Sequence, residues 1–188
     1  MKHLDQLVGT SHHLDMPVWN SEDLLGCIKH LVNIDNSWFP DMDEPGQFYV
    51  RMNHISTDER LGVTTPFKTK LVAILNPTTL KHKNLAVKCS VGVNKNWPLG
   101  HGQYTCSGNI GPLMPTVADA KENGFNDVLW LLDDFVQEMT VFNIFFVVKN
   151  RYGTMKLYTP MDNGCIMSGV TRQSIIDMKE QIATESGM

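Results

Sequence analysis

Gly100-His101-Gly102-Gln103-Tyr104-Thr105-Cys106-Ser107-Gly108-Asn109-Ile110-Gly111 is the stretch on which the reading of this chain turns. Its glycines follow an alternating, strand-like run and precede a helix-like one. Glycine at such a junction lets the backbone turn sharply and approach a ligand closely. Short polar side chains fill the gaps between the glycines. Taken alone, the plainer reading is a loop that turns a corner, because glycine pairs are a weak signal.

The segments on either side supply the context. Before the loop, Leu85, Val87, Cys89, Val91 and Val93 alternate as a strand. After it, Pro115 to Glu122 reads as a helix with Asn123-Gly124 as its stop. Val128 to Leu132 and Val141 to Lys149 read as strands, and the second turns at Asn150-Arg151-Tyr152-Gly153 into Lys156-Leu157-Tyr158. Ser168-Gly169-Val170-Thr171 opens a helix that runs through Ile175, Ile176 and Met178, with Ser168 as a candidate cap.

Towards the N-terminus, residues 1–19 carry no decisive pattern. Asn20-Ser21-Glu22-Asp23 is a helix start, and Leu24, Leu25, Ile28, Leu31 and Val32 form one apolar face behind it. Pro40 helps to end that segment. Phe48, Val50 and Met52 share one face of a strand, with Tyr49 and Arg51 on the other. Lys70 to Leu75 reads as a buried strand stopped by Asn76-Pro77-Thr78-Thr79. The polar run Thr78 to Lys83 is the best linker candidate. A helix followed by several strands with helices between them predicts an α+β fold with mostly antiparallel pairing and two lobes.

The totals exclude several functions. The chain has 188 residues, 42% apolar and 19% charged, which is globular composition with room for a real core. Net charge is −4 with no basic block, which argues against nucleic acid as a partner. No apolar run is long enough to span a membrane, and Met1-Lys2-His3-Leu4-Asp5 starts no signal peptide. Cys27, Cys89, Cys106 and Cys165 are dispersed and form no Cys-x-x-Cys pair, which fits free thiols. The seven histidines are scattered too, so no metal site is expected.

The glycine stretch resembles the active-site segment of the branched-chain aminotransferases, the fold-type IV pyridoxal-phosphate enzymes. These carry a Gly-x-Gly, the Schiff-base lysine, and then Gly-Gly-Asn-Tyr-Gly. Here the frame is Gly100-x-Gly102 followed by Gly108-Asn109-Ile110-Gly111. Thr105 falls on the lysine and Ile110 on the tyrosine. Further family-like segments are Tyr49-Val50-Arg51, Leu61-Gly62-Val63, Val128-Leu129-Trp130-Leu131, Glu138, Asn143-Ile144-Phe145 and Gly169-Val170-Thr171-Arg172.

The resemblance implies a fold-type IV aminotransferase-like α+β protein, incomplete at both ends. Residues 1–76 would be the remainder of a small N-terminal domain, 77–84 an interdomain linker, and 85–188 the first part of a large cofactor-binding domain. It implies that Tyr49, Arg51, Leu61 and Val63 lie near substrate. Glu138 would pair with the pyridine nitrogen of pyridoxal 5'-phosphate, and Gly169, Val170 and Thr171 would hold its phosphate at a helix start. Each has a plainer alternative: an arginine on a solvated face, an ordinary turn, a surface glutamate, a simple helix cap. Gln6 falls, on a poor match, where the family has an arginine on the phosphate. The two departures bear on activity. Thr105 has a hydroxyl rather than an amine and can neither form the Schiff base nor shuttle the proton. Ile110 cannot hydrogen-bond the cofactor's phenolic oxygen.

Three functions remain open at this point. One is an inactive relative of enzymes that move an amino group between leucine, isoleucine or valine and 2-oxoglutarate. Another is a working transaminase acting on branched-chain amino acids and 2-oxo acids. The third is an interaction module, as a homodimer or paired with an intact homologue. The family's compartments are cytoplasmic or mitochondrial, and no targeting signal is visible in this chain.

Overall fold

The computed structural model describes residues 1–39, 46–79, 87–94 and 100–179. The chain divides into two compact units, Met1–Leu85 and Ala86–Met188.

The first unit opens with α1 (Lys2–His13), over residues whose sequence carries no decisive pattern, and α2 (Ser21–Ile34). Asn20 caps α2 as its position predicts. Its side-chain oxygen accepts the backbone N–H groups of Glu22 at 2.7 Å and Asp23 at 3.3 Å, and both acids sit in the first turn where the helix dipole favours them. A 3-10 turn, Asn36–Trp38, follows; Pro40 lies outside the described residues.

β1 (Gly46–Ser56) and β2 (Thr69–Thr79) then form a two-stranded antiparallel sheet. Phe48, Val50 and Met52 turn inward and Tyr49 and Arg51 outward, as the alternation predicts. β2 departs from expectation twice. It alternates half-buried and exposed positions rather than being buried, with Ile74 49% exposed. It also runs through Pro77, which pairs with Phe48. In a sheet of two strands every strand is an edge, so a proline lacking its N–H need not break a ladder on both sides. The expected linker therefore begins inside a strand, and residues 80–84 lie outside the described residues. Leu4 and Leu24 are buried between these elements, and Ser11 Oγ bonds His54 Nδ1 at 2.9 Å with the Trp19 ring edge-on to the imidazole.

In the second unit β3 spans Cys89–Val93; Val87 of the expected run stands before it, and Leu85 lies outside the described residues. The glycine stretch follows. Its second half is not an open loop: Ser107–Ile110 form a one-turn helix, α3, and Gly111–Leu113 a 3-10 turn leading into α4 (Met114–Glu122). Gly124, at φ +76, ends that helix in the left-handed conformation glycine favours. β4 (Asp127–Leu132) pairs in parallel with β3 and antiparallel with β5 (Phe135–Met139). Sequence reading misses β5, a short strand that follows directly on the Asp133-Asp134 turn, where both residues have positive φ.

The core packs Leu113, Val117 and Ala120 against Val128 and Trp130. Trp130 is 1% exposed and its indole N–H donates to Thr140 Oγ1 at 3.2 Å. Gly92 is what admits it: a Cβ there would lie 2.7 Å from the indole and 2.8 Å from a Val128 methyl. The buried face of β3 is thus its glycine face, while Val91 and Val93 are exposed.

The expected strand from Val141 reduces to β6 (Phe146–Lys149), paired antiparallel with β7 (Met155–Tyr158) across the predicted turn, where Gly153 has φ +86. Residues 141–145 leave the strand because Asn143 spends its side chain on another segment. α5 (Val170–Asp177) closes the described unit. Among the described residues three of the four strand pairings are antiparallel, as expected.

Because Trp130 fills the core through a glycine gap, Trp130→Ala should destabilise the second unit by about 3–5 kcal/mol. Val91→Ser, on the exposed face of the neighbouring strand, should change stability by less than about 0.5 kcal/mol. Urea denaturation followed by circular dichroism checks both.

Candidate functional site

In the second unit two of the candidate residues, Thr105 and Glu138, meet one irregular strap, residues 164–169, which leads into α5. Gly102 fixes the glycine stretch to the strap. A Cβ on Gly102 would lie 2.6 Å from the carbonyl oxygens of both Gly164 and Cys165, so only glycine admits this approach. Within the glycine stretch, Asn109 Nδ2 donates to the carbonyls of His101 at 2.7 Å and Tyr104 at 2.9 Å, which sets the bend around Thr105.

Met167 is the hub of the strap. Its backbone N–H donates to Glu138 Oε2 at 2.9 Å, its carbonyl accepts from Asn143 Nδ2 at 2.9 Å, and its thioether accepts from Thr105 Oγ1 at 3.6 Å. Thr105, from the glycine stretch, and Glu138, from β5, therefore meet the same residue. Burial pushes the Glu138 carboxyl up to about 7; the Met167 N–H opposes that shift and the Asp162 charge adds to it. Burial, and then the Glu138 charge, likewise raise the Cys165 thiol. Asp162 itself accepts the Ser168 hydroxyl at 2.5 Å.

That last bond corrects the expected cap. Ser168 turns its hydroxyl to Asp162, and the residue that caps α5 is Gly169, in extended conformation and without a side-chain cap bond. The first N–H groups of α5, from Val170 and Thr171, have no intrahelical acceptor, as at any helix start. Arg172 anchors the helix from its buried side, with Nη2 donating to the Pro160 carbonyl at 2.7 Å and Nε to Thr159 Oγ1 at 3.4 Å. Ile110 ends α3 and is 38% exposed.

The other candidates belong to the first unit. Tyr49 and Arg51 stand on the exposed face of β1, and Gln6 lies in α1. Leu61 and Val63 flank Gly62 on the β1–β2 loop and are 97% and 108% exposed. Asp58 holds that loop: its carboxylate accepts the Phe67 N–H at 2.6 Å, the Lys68 N–H at 3.3 Å and Arg60 Nη2 at 3.3 Å. The Phe67 bond is the main reason its carboxyl falls below the usual range.

Sequence reading misses two members of the strap's network as site residues. Asn143 has a signal, being the one polar residue inside the apolar run Val141 to Val148. Met167 has none, because its bonds to Glu138 and Asn143 are made by its backbone. Among the described residues no group of three or more His, Cys, Asp or Glu could hold a metal ion, and no helix is long and apolar enough to cross a membrane.

Comparison with known proteins places this geometry. The family described as Amino-transferase class IV matches residues 1–186, and the chain belongs to it. It is 31% identical over 185 residues to the cytosolic branched-chain-amino-acid aminotransferase of Mus musculus, covering 95% of this chain and 48% of the mouse protein. The mitochondrial enzyme of the same name from Schizosaccharomyces pombe is 30% identical over 190 residues, covering 97% and 44%. The chain thus spans about half the length of the curated relatives it matches. Among solved structures, the branched-chain amino acid aminotransferase of Thermobaculum terrenum in its PLP form superposes with TM-score 0.76 at 18% identity, over 97% of this chain and 58% of that one. The branched-chain aminotransferase of Thermoproteus uzoniensis with norvaline gives TM-score 0.71 at 17% identity, over 97% and 59%. The α+β fold is therefore that of these aminotransferases.

The Glu138 carboxyl keeps its proton to higher pH in the folded chain than in the unfolded one. Its contribution to stability is complete below the unfolded carboxylate range and is lost as pH rises through about 7. Glu138→Gln retains an oxygen for the Met167 N–H and carries no charge. It should match the wild type near about pH 4 and exceed it near about pH 8 by no more than about 3 kcal/mol. Thermal melts across that range check the sign.

Proposed function

We propose that this chain is a branched-chain-aminotransferase-like protein that retains a non-covalent cradle for pyridoxal 5'-phosphate and has lost the group that performs transamination. The observation that carries this reading is Thr105. Its hydroxyl lies on the thioether of Met167, the residue whose N–H serves Glu138, and the sequence resemblance aligns Thr105 with the family's lysine.

The residues present fit two ends of the cofactor. Glu138 is a buried carboxyl with a backbone N–H on one oxygen, suited to pair with a pyridinium nitrogen, whose positive charge would favour the ionised carboxylate. The start of α5 offers Val170 and Thr171 N–H groups to a phosphate, with no side-chain cap in the way. The third end does not fit, since Thr105 has no amine and Ile110 no hydroxyl for the phenolic oxygen. When bound to its usual partners, the cofactor supplies an electron sink for the substrate carbon. Here the strap would bind and orient the ring, and Glu138 would hold a proton at the ring nitrogen. No side chain at residue 105 could move a proton at the substrate carbon, because a hydroxyl is too weak a base at neutral pH.

A second reading rests on Leu61 and Val63. Two apolar side chains held fully exposed on an ordered loop suit an interface with a second copy or an intact homologue. Size-exclusion chromatography at rising concentration checks it: a monomer throughout, with no co-elution with an intact aminotransferase, would remove this reading.

Purified protein mixed with pyridoxal phosphate should lack the long-wavelength absorbance of lysine-bound cofactor. Glutamate formation from leucine and 2-oxoglutarate should not exceed a cofactor-only blank. Thr105→Lys should gain the absorbance without turnover comparable to an intact relative, since Ile110 leaves the phenolic oxygen of the ring unheld and misplacement by about 1 Å costs on the order of a hundredfold. Full turnover from that one substitution would show that Thr105 is the sole lesion.

A further inference from the structure

We propose that Asn143 is the positioning residue of the site: its side chain clamps the strap at two points and thereby holds the Met167 N–H on Glu138. The inference rests on the reading of Glu138 as the ligand-facing carboxyl, and nothing above assigns Asn143 a role.

The clamp has two jaws. Asn143 Nδ2 donates to the Met167 carbonyl at 2.9 Å. Its Oδ1 lies against Gly169, so closely that any Cβ there would run into it. The Gly169 N–H also donates to the Met167 carbonyl, at 2.8 Å, which closes a tight turn beside the amide. One side chain thus fixes residue 167, whose N–H serves Glu138, and residue 169, which starts α5. Asn143 lies outside any strand, on the path from β5 to β6, so it can present both ends of its amide to the strap. Alanine has neither end. Aspartate would set a carboxylate against the Met167 carbonyl with no hydrogen to offer.

Release of the strap would take a donor from the charged form of Glu138 and so raise its midpoint. Asp162 and Cys165 are the other titratable groups acting on Glu138, both from the strap side, and neither is altered in the variants below.

The experiment is carbon-13 NMR of the Glu138 side-chain carboxyl across a pH titration, without cofactor. The wild-type midpoint should fall at about 7. Asn143→Ala should move it up by about 1 pH unit. Gly169→Ala, which drives a methyl into the amide, should move it the same way. The Asn143→Ala/Gly169→Ala pair should titrate like Asn143→Ala alone, because the methyl then has room. A merely structural role would lower stability and leave the midpoint in place, so unchanged midpoints in the folded single variants would overturn the proposal. If the variants do not fold, the wild type still decides. Its Met167 amide proton should move downfield as pH rises through the Glu138 midpoint, since a carboxylate is the stronger acceptor, and the Asn143 Nδ2 protons on the same strap should move with it. A Met167 shift that the Asn143 protons do not follow would overturn the proposal. Because no cofactor is present, failure here is separate from failure of cofactor binding.

Discussion

The second unit depends on one close approach. Gly102 lies against the carbonyls of Gly164 and Cys165 at a distance no side chain would permit. This contact ties the glycine stretch, early in the unit, to the strap that precedes α5, about sixty residues later in the chain. From it follow the placement of Thr105 on the Met167 thioether and of Met167 under Glu138. Met167 contributes an N–H, a carbonyl and a sulfur to three different segments of the chain, so displacement of the strap would disturb all three.

The electrostatics follow from the same packing. Burial favours the protonated form of Glu138, and a single backbone N–H only partly offsets it. The carboxyl thus sits close to the point where a neighbouring cation would ionise it. That is a useful state for a group that meets a pyridinium, and an unfavourable one for a chain with nothing to bind. Thr105, which the resemblance aligns with the family's lysine, carries a hydroxyl and no amine. Under the proposed reading the site is chemically divided, with features suited to binding kept and the reactive ones replaced.

Much of this was legible in the residues. Asn20 with Glu22 and Asp23, Asn123-Gly124, and Asn150 to Gly153 announce a helix start, a helix stop and a hairpin through local chemistry that tertiary packing does not override. Elements that depend on distant partners were not legible. β2 continues past Pro77 because its sheet has only two strands among the described residues, which no window of sequence reveals. β6 loses its first residues because Asn143 bonds Met167, and β5 is too short to show a period. Glu138 and Thr105 emerge from the family resemblance. Their meeting at Met167 does not, because a backbone N–H and carbonyl leave no trace in residue type.

The central claim is that the site binds pyridoxal phosphate without a covalent link. It is tested most directly by incubating the whole protein with the cofactor, reducing with borohydride, and measuring the intact mass beside equilibrium dialysis of the unreduced sample. The account predicts reversible binding in dialysis and an unmodified mass after reduction. A single stoichiometric phosphopyridoxyl adduct, for example at Lys88 or Lys95, would contradict it by showing that another lysine has taken over the place of the one Thr105 replaces.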